Sequence, residues 1–322
     1  MAYRDRDSAQ GHAHENRHGH SLAEDLQAMG RALYGRRRAL GFMVGAGGTV
    51  ALAACGGDDA GGAFSSDSAA TSSSTTSSST SSASGSSGTS TTSTSDGTSD
   101  ASCVADPTET NGPYPADGTN TASGATSNVL TQSGIVRSDI RSSFIGSTNT
   151  ADGVQLQIVL QLVDVSNGCA AIAGAAVYLW HCDAAGRYSL YSSRITTESY
   201  LRGVQVTDSE GKVTFTTIYP ACYSGRWPHI HFEIFTGGLT SASTGRSATL
   251  ISQLAMPAAT NTAVFSGDSR YTASIANYNA ISLSSDNVFG NNTSAQLAQQ
   301  TPALSGSIAA GYTGTVVVGI AT

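Results

Sequence analysis

The sequence predicts an all-β domain from about Cys103 to the C-terminus, folded as a sandwich of antiparallel strands. The clearest predicted strand covers residues 154–165, where apolar and polar side chains alternate as they do when one face of a strand is buried. Long amphipathic helical patterns are scarce after Cys103, which favours strands packed on strands. Four further short runs, separated by glycine-containing turn signals, are also expected to be strands: 176–180, 213–218, 230–235 and 315–320.

Residues 1–54 have the pattern of an export signal with an N-terminal extension. Arginines at positions 36–38 stand before the uncharged stretch 39–54, which ends in Leu-Ala-Ala ahead of Cys55. This stretch is too short to span a bilayer comfortably. The arginines resemble a twin-arginine signal, and the Leu-Ala-Ala-Cys box resembles a lipoprotein cleavage site. We therefore expect an exported protein on the periplasmic or cell-surface side, anchored by acylated Cys55. The alternative is an ordinary apolar helix.

Residues 55–102 are almost entirely Ser, Thr, Gly and Ala with scattered Asp. Such a mixture cannot bury enough apolar surface to offset the entropy of the chain, so no packed structure is expected. A flexible tether of this length has an rms reach of roughly 35–40 Å. The folded domain is therefore expected to cover residues 103–322.

The charge distribution separates the N-terminal region from the domain. Residues 1–54 hold seven of the sixteen basic residues and five of the twenty-three acidic ones, which leaves nine basic against eighteen acidic residues downstream. An acidic domain with Lys212 as its only lysine argues against nucleic acid as a partner, and against any membrane contact other than a lipid anchor.

The residues with the clearest chemical pattern lie around position 229. His229 and His231 are two positions apart on a predicted strand, so both imidazoles project from one face. That spacing suits a pair of metal ligands, although it also occurs in ordinary buried pairs. Tyr223 and Tyr188 lie close to predicted strands. Phenolate is a hard anionic donor that forms only beside a strong Lewis acid, which favours ferric iron over zinc.

Taken together, the motifs after Cys103 resemble the intradiol ring-cleavage dioxygenases, particularly their secreted branch. The matching segments, in chain order, are 110–114, 177–183, 186–189, 200–203, 219–223, 225–232 and 252–254. The resemblance implies a β-sandwich of the intradiol type and a single Fe(3+) cofactor. The iron ligands that it implies are Tyr188, Tyr223, His229 and His231.

The resemblance also implies a reaction: O2 opens a catechol-type ring between its two hydroxyl-bearing carbons to give a muconate-type diacid. Tyr223 is implied to leave the iron and accept a substrate proton, and Arg226 and Gln253 to stabilise and orient the substrate. Gly112, Pro113 and Tyr114 are implied to line the substrate pocket, with an ordinary turn as the alternative. His181 is implied to be structural rather than a ligand.

The match has two departures from the family pattern. Only five residues separate Tyr223 from His229, fewer than in the cytosolic enzymes, and the helical dimerisation segment of the catechol enzymes has no counterpart. The identity of the catechol-type substrate and the oligomeric state therefore stay open.

Four cysteines follow Cys55, an even number in an exported chain, so two disulfides are expected. Four cysteines allow three pairings. The favoured one joins Cys182 to Cys222, because each lies near an implied iron-binding tyrosine, and leaves Cys103 with Cys169. Free buried thiols are the alternative.

Two other functions compete with the dioxygenase reading. One is a membrane-tethered β-sandwich binding module without catalysis, which the Ser/Thr tether would suit. The other is a zinc hydrolase that uses His181, His229 and His231, which would leave both tyrosines and Arg226 without a role. Visible absorbance separates the three, because only tyrosinate bound to iron(III) is coloured.

Overall fold

A computed structural model describes residues 104–321. The predicted signal region 1–54, the predicted linker 55–102, Cys55 and Cys103 all lie outside these residues. Within 104–321, no helix is long and apolar enough to cross a membrane.

The described chain is mostly strand, arranged in two sheets, with few helices. The first sheet contains β1 (Gln155–Asp164), β2 (Ala170–Ala171), β5 (Lys212–Ile218), β8 (Ala303–Ser307) and β9 (Gly311–Ile320). The second has the order β4-β3-β6-β7, formed by Arg202–Val206, Ala176–Trp180, His229–Phe235 and Leu250–Ala255. The α-helices are α1 (Ala258–Gly267), α2 (Thr272–Asn279) and α3 (Ser294–Gln300).

Strand β1 shows why these residues form a sheet. Leu156, Ile158, Leu160 and Leu162 are fully buried, while the polar residues between them are exposed or half-buried. The alternation places one face of β1 in a hydrophobic cluster to which both sheets contribute. The predicted all-β class and all five predicted strands are therefore confirmed.

The expectation of a purely antiparallel sandwich needs correction in the first sheet. β1 pairs antiparallel with β5 and β2, but it pairs parallel with β9, from Leu156 opposite Tyr312 to Asp164 opposite Ile320. Parallel neighbours need a long connection between them. The whole of the second sheet and three helices lie between β1 and β9 in sequence, so no hairpin restricts their direction.

Strand β6 differs from β1 because all seven of its residues are buried. It is central in the second sheet, between β3 and β7. In this register His231 stands opposite Trp180 on β3 and opposite Gln253 on β7. The strand therefore holds the imidazoles of His229 and His231 in the protein interior, between β3 and β7.

The predicted disulfide between Cys182 and Cys222 is not formed. Both are buried free thiols. Each lies beside a backbone carbonyl, since Cys182 Sγ is 3.6 Å from the Ala221 oxygen and Cys222 Sγ is 3.4 Å from the Arg226 oxygen. Their burial near these acceptors explains how they persist as thiols. Cys169 is disulfide-bonded, but its predicted partner Cys103 lies outside the described residues.

Candidate metal centre and substrate site

Four side chains meet where β6 faces the loops that follow β3 and β5. His229 Nε2 lies 3.1 Å from His231 Nε2. The hydroxyl oxygens of Tyr188 and Tyr223 each lie 3.2 Å from the same His229 nitrogen. The structure therefore brings together the four residues that the sequence predicts as iron ligands.

The spacing of these donor atoms suits one metal ion. Bonds of about 2.0–2.1 Å that meet at about 90–110° separate adjacent donors by about 2.9–3.4 Å. The three distances from His229 Nε2, 3.1, 3.2 and 3.2 Å, fall within that range. Two nitrogen and two oxygen donors could thus share an ion without rearrangement of the backbone.

The histidines are held as neutral imidazoles. Burial lowers the pKa of His229 and of His231 well below the usual value, and the nearby positive charge of Arg226 lowers both further. The Trp227 carbonyl oxygen is 2.6 Å from His229 Nδ1 and accepts a hydrogen bond from its N–H group, so the lone pair of Nε2 is available to a metal ion. His231 is oriented differently, by the indole ring of Trp180 stacked on it with 4.8 Å between ring centroids.

The tyrosines are phenols that need a positive charge beside them to ionise. Burial raises the pKa of Tyr223 to about 12, although the Arg226 guanidinium opposes the rise. Burial raises the pKa of Tyr188 well above its usual value, and the adjacent Tyr223 raises it further. Two such phenols beside two neutral imidazoles form a donor set that fits a hard trivalent cation.

Arg226 lies next to this cluster and is fully buried, with 1% of its surface exposed. Its Nη2 donates to Gln253 Oε1 at 2.7 Å, and its Nε donates to Asp286 Oδ2 at 2.9 Å. Nη1 has no protein acceptor. Gln253 is anchored in turn by donation from Nε2 to the Thr110 carbonyl, at 2.8 Å. Arg226 and Gln253 therefore lie together as predicted, and one guanidinium nitrogen is left for a ligand.

The loop with Gly112 and Tyr114 lies against His231 and Tyr188. Gly112 has φ of +69°, and a Cβ atom on it would lie 3.1 Å from His231 Cε1, so glycine permits both the backbone conformation and the close approach. The Tyr114 ring centroid lies 4.9 Å from that of Tyr188. Pro113, the third predicted pocket residue, accepts a hydrogen bond at its carbonyl from Asn120 Nδ2, at 2.7 Å.

His181 is directed away from the cluster. Its Nε2 lies 2.7 Å from Thr217 Oγ1 on β5, and its Nδ1 lies 2.8 Å from the Cys182 carbonyl oxygen. Both ring nitrogens are thus engaged, and the bond from Nε2 to Thr217 links the segment after β3 to β5 of the other sheet. The third imidazole that a three-histidine zinc site needs is therefore used elsewhere, and residues 104–321 contain no group of three or more His, Cys, Asp or Glu side chains suited to a metal.

Sequence reasoning missed Asp286, Trp180 and Trp227, which orient Arg226, His231 and His229 respectively. Trp180 lies opposite His231 in the sheet register, which a correct pairing of two predicted strands would have indicated. Asp286 lies in the connection between α2 and α3, where no pattern in the sequence marks it.

The segment that contains the donor residues is similar to known dioxygenases. Residues 141–246 match the family model Dioxygenase_C, described as dioxygenase. The matched segment contains all four donor residues and Arg226. An intradiol ring-cleavage dioxygenase from Tetranychus urticae is similar in structure, with 24% identity, a TM-score of 0.50, and coverage of 68% of this chain and 95% of that chain.

Two further solved structures are similar at lower TM-scores. They are the dioxygenase domain of a dioxygenase and carbohydrate-binding protein fusion from Streptomyces sp. SirexAA-E, with 20% identity, TM-score 0.38, and coverage of 68% and 100%, and catechol 1,2-dioxygenase from Pseudomonas arvilla C-1, with 20% identity, TM-score 0.38, and coverage of 66% and 60%. The predicted resemblance to intradiol dioxygenases is therefore confirmed by the family model and, through the Tetranychus urticae protein, by the fold. The enzyme class that it indicates is that of a dioxygenase.

Proposed function

We propose that this chain is a ferric-iron intradiol dioxygenase that acts on catechol-type diols. The observation that carries the proposal is the convergence of Tyr188, Tyr223 and His231 on His229 Nε2, within 3.2 Å. The reaction balances without a reductant, because a diphenol and O2 give a diacid that retains both oxygen atoms. The two carbon atoms that bear the hydroxyl groups become the two carboxyl carbons.

The four donors would hold Fe(3+) through two phenolate oxygens and two imidazole nitrogens. Bound there, the cation would stabilise both phenolates and draw electron density from a chelated catecholate. Tyr188 is almost fully buried, whereas Tyr223 is partly exposed. We therefore assign Tyr188 to permanent ligation and Tyr223 Oη to accepting the proton that a substrate hydroxyl releases.

The residues beside the donors orient the substrate and stabilise its charge. Arg226 Nη1 is a buried, positively charged N–H group without a protein acceptor, so it can donate to an anionic oxygen of the substrate. Gln253 fixes the direction of Arg226 through Nη2. Gly112 leaves free the space beside His231 that a side chain would fill.

Substitution of each tyrosine by phenylalanine tests the assignment of roles. Tyr223→Phe should retain iron and bind catechol but turn over about 10²–10⁴-fold more slowly, because the proton acceptor is missing. Tyr188→Phe should instead weaken iron retention or shift the charge-transfer band even in the anaerobic catechol complex. The measurements are iron content, visible spectra and O2 uptake. Wild-type colour and activity in Tyr223→Phe would remove Tyr223 from the site.

A screen of diphenols for O2 uptake, with identification of the products, tests the reaction and defines the substrate. A colourless protein that binds diphenols without consuming O2 would instead indicate a binding module.

We further propose that the domain is exported and tethered to a membrane. The support is the Leu-Ala-Ala-Cys box at the end of an uncharged stretch and the Ser/Thr-rich segment after it. Cys55→Ser should block processing or release the protein from membranes in a fractionation experiment. A substituted protein that is processed normally and stays with the membrane would contradict the lipid anchor.

A further inference from the structure

We propose that Asp286 is a positioning residue that aims the Nη1 group of Arg226 at the substrate, an inference that rests on the function proposed above. Asp286 lies between α2 and α3, beyond the segment that matches the dioxygenase family model. Nevertheless, its carboxylate meets the guanidinium in the protein interior, where both side chains are at most 1% exposed.

The direction of the guanidinium follows from which of its nitrogens are occupied. Asp286 Oδ2 accepts from Nε at 2.9 Å, and Gln253 accepts from Nη2 at 2.7 Å. These two acceptors hold two corners of a planar group, so the third corner, Nη1, has a fixed direction. Asp286 Oδ2 also accepts from the Trp227 backbone N–H at 2.6 Å, which fixes the chain beside Arg226.

Asp286 is itself rigidly held. Its second oxygen, Oδ1, accepts from the backbone N–H groups of Val288 and Phe289, at 2.8 and 3.0 Å. Those two residues belong to a small hydrophobic cluster with Trp227 and Ala255. The Phe289 ring also lies under the guanidinium, with 5.9 Å between its centroid and Arg226 Cζ. The connection after α2 thus forms a wall behind the arginine.

A role in positioning differs from a role in stability alone, and a double-mutant cycle separates them. Asp286→Asn should lower kcat/KM about 10–100-fold, as is typical when the partner that orients a reacting group is lost. Arg226→Gln should lower it at least as much. If Asp286 acts through Arg226, the double variant should be no slower than Arg226→Gln, whereas independent roles would multiply the two losses and overturn the proposal.

The double variant also guards against a folding defect. Asp286→Asn alone leaves a buried cation without its partner, whereas removal of both charges avoids that arrangement. The matched control is Asp268→Asn, because Asp268 likewise accepts from an arginine Nε and a backbone N–H, both of Arg270, at 2.9 and 3.0 Å. Arg270 does not contact the donor cluster, so kcat/KM of this control should stay within twofold of wild type.

A spectroscopic measurement tests the geometry without turnover. In ¹⁵N-labelled protein loaded with diamagnetic Ga(III) in place of paramagnetic Fe(3+), the Nε–H resonance of Arg226, assigned by its loss in Arg226→Gln, should be protected from solvent exchange. It should shift or broaden in Asp286→Asn. An unchanged resonance would overturn the positioning role. Wild-type protein that consumes no O2 with any diphenol would overturn the proposed function instead, and the resonance would still report on Asp286.

Discussion

Two buried arginines near the site, Arg202 and Arg226, differ in how many of their N–H groups have hydrogen-bond acceptors in the protein. Both are 1% exposed. Arg202 uses all five N–H groups on oxygen atoms of the protein, namely Ser189 Oγ and the carbonyl of Ser189, the carbonyls of Tyr114 and Pro115, and Tyr178 Oη. Arg226 has a carboxylate and an amide as partners but leaves Nη1 without an acceptor.

The difference indicates the purpose of each buried cation. Arg202 joins the loop that contains Tyr114 to the loop that contains Tyr188, so it stabilises the walls of the site. Burial of a donor without an acceptor destabilises a fold by about 1–3 kcal/mol, which makes the free Nη1 of Arg226 costly unless a ligand accepts from it. A buried arginine whose N–H groups all have protein acceptors therefore indicates a structural role. A buried arginine with an N–H group left without an acceptor indicates a ligand-binding role.

The comparison predicts that Arg202→Lys has its largest effect on stability. One ammonium group cannot replace five N–H groups in a fixed fork, so buried carbonyls lose their donors. We expect a loss of about 3 kcal/mol in the free energy of unfolding, measured with urea. Arg246→Lys, at an exposed arginine, is the control and should change the stability by less than about 0.5 kcal/mol.

Arg226→Lys should instead have its largest effect on activity and a smaller effect on stability. The ammonium can still pair with Asp286, so the loss of stability should be smaller than in Arg202→Lys. The donor offered by Nη1 disappears, so kcat/KM should fall by about 10²–10³-fold. Steady-state O2 uptake and urea unfolding measure the two effects. The distinction between the arginines fails if Arg226→Lys is fully active but strongly destabilised.

Gly112→Ala tests whether the loop held by Arg202 must approach His231. Alanine at a φ of +69° should cost about 1–2 kcal/mol, and its Cβ would press on the imidazole at 3.1 Å. Gly174→Ala has a similar φ of +76° with nothing within 4 Å of the added atom. Both variants should lose similar stability, but only Gly112→Ala should lose activity per folded molecule. Equal activities would show that the close approach has no role.

The same reasoning extends to carboxylates. Asp286 uses both oxygens, whereas Asp106 accepts at Oδ2 from Gly319 N–H and Gln299 but has no partner at Oδ1. Burial raises the pKa of Asp106 to about 7, and the bonds from Gly319 and Gln299 oppose the rise.

Because folding favours the protonated form of Asp106, its contribution to stability is present at acidic pH and is lost as the pH rises towards 7. Its slope is at most about 1.4 kcal/mol per pH unit. Asp106→Asn should make the free energy of unfolding depend less on pH between pH 4 and about 7, as measured by urea unfolding at each pH. An identical slope in wild type and variant would refute the link to Asp106.

The sequence predicted the parts of the molecule that follow a local pattern. Strand β1 was predicted because its alternation is a property of neighbouring residues, and His229 and His231 because a strand sets their common face. Strand β7 was missed, since Ser252 and Gln253 are polar although fully buried in the fold. Strand β8 was missed because it is largely exposed and contains Ser and Gly.

Partners that meet only in three dimensions could not be predicted from local patterns. Asp286 reaches Arg226 across sixty positions of sequence, and nothing in its own segment marks it. The pairing of Cys182 with Cys222 was wrong for a related reason, because proximity to the tyrosines says nothing about the direction of the two sulfur atoms.

The parallel pairing of β1 with β9 has a consequence for biosynthesis. Leu156 pairs with Tyr312, about 150 residues later in the sequence. The Asp106 backbone N–H donates to the Gly319 carbonyl, and the Gly319 N–H donates to the Asp106 carboxylate. Strand β1 of the first sheet therefore lacks its longest partner strand until residues 311–320 have left the ribosome. A ribosome-bound chain that ends before residue 311 should remain sensitive to protease, and the domain should become resistant only after β9 has emerged. If the chain is exported folded, as proposed above, the pairing of β9 with β1 would set the earliest moment at which it is ready for translocation.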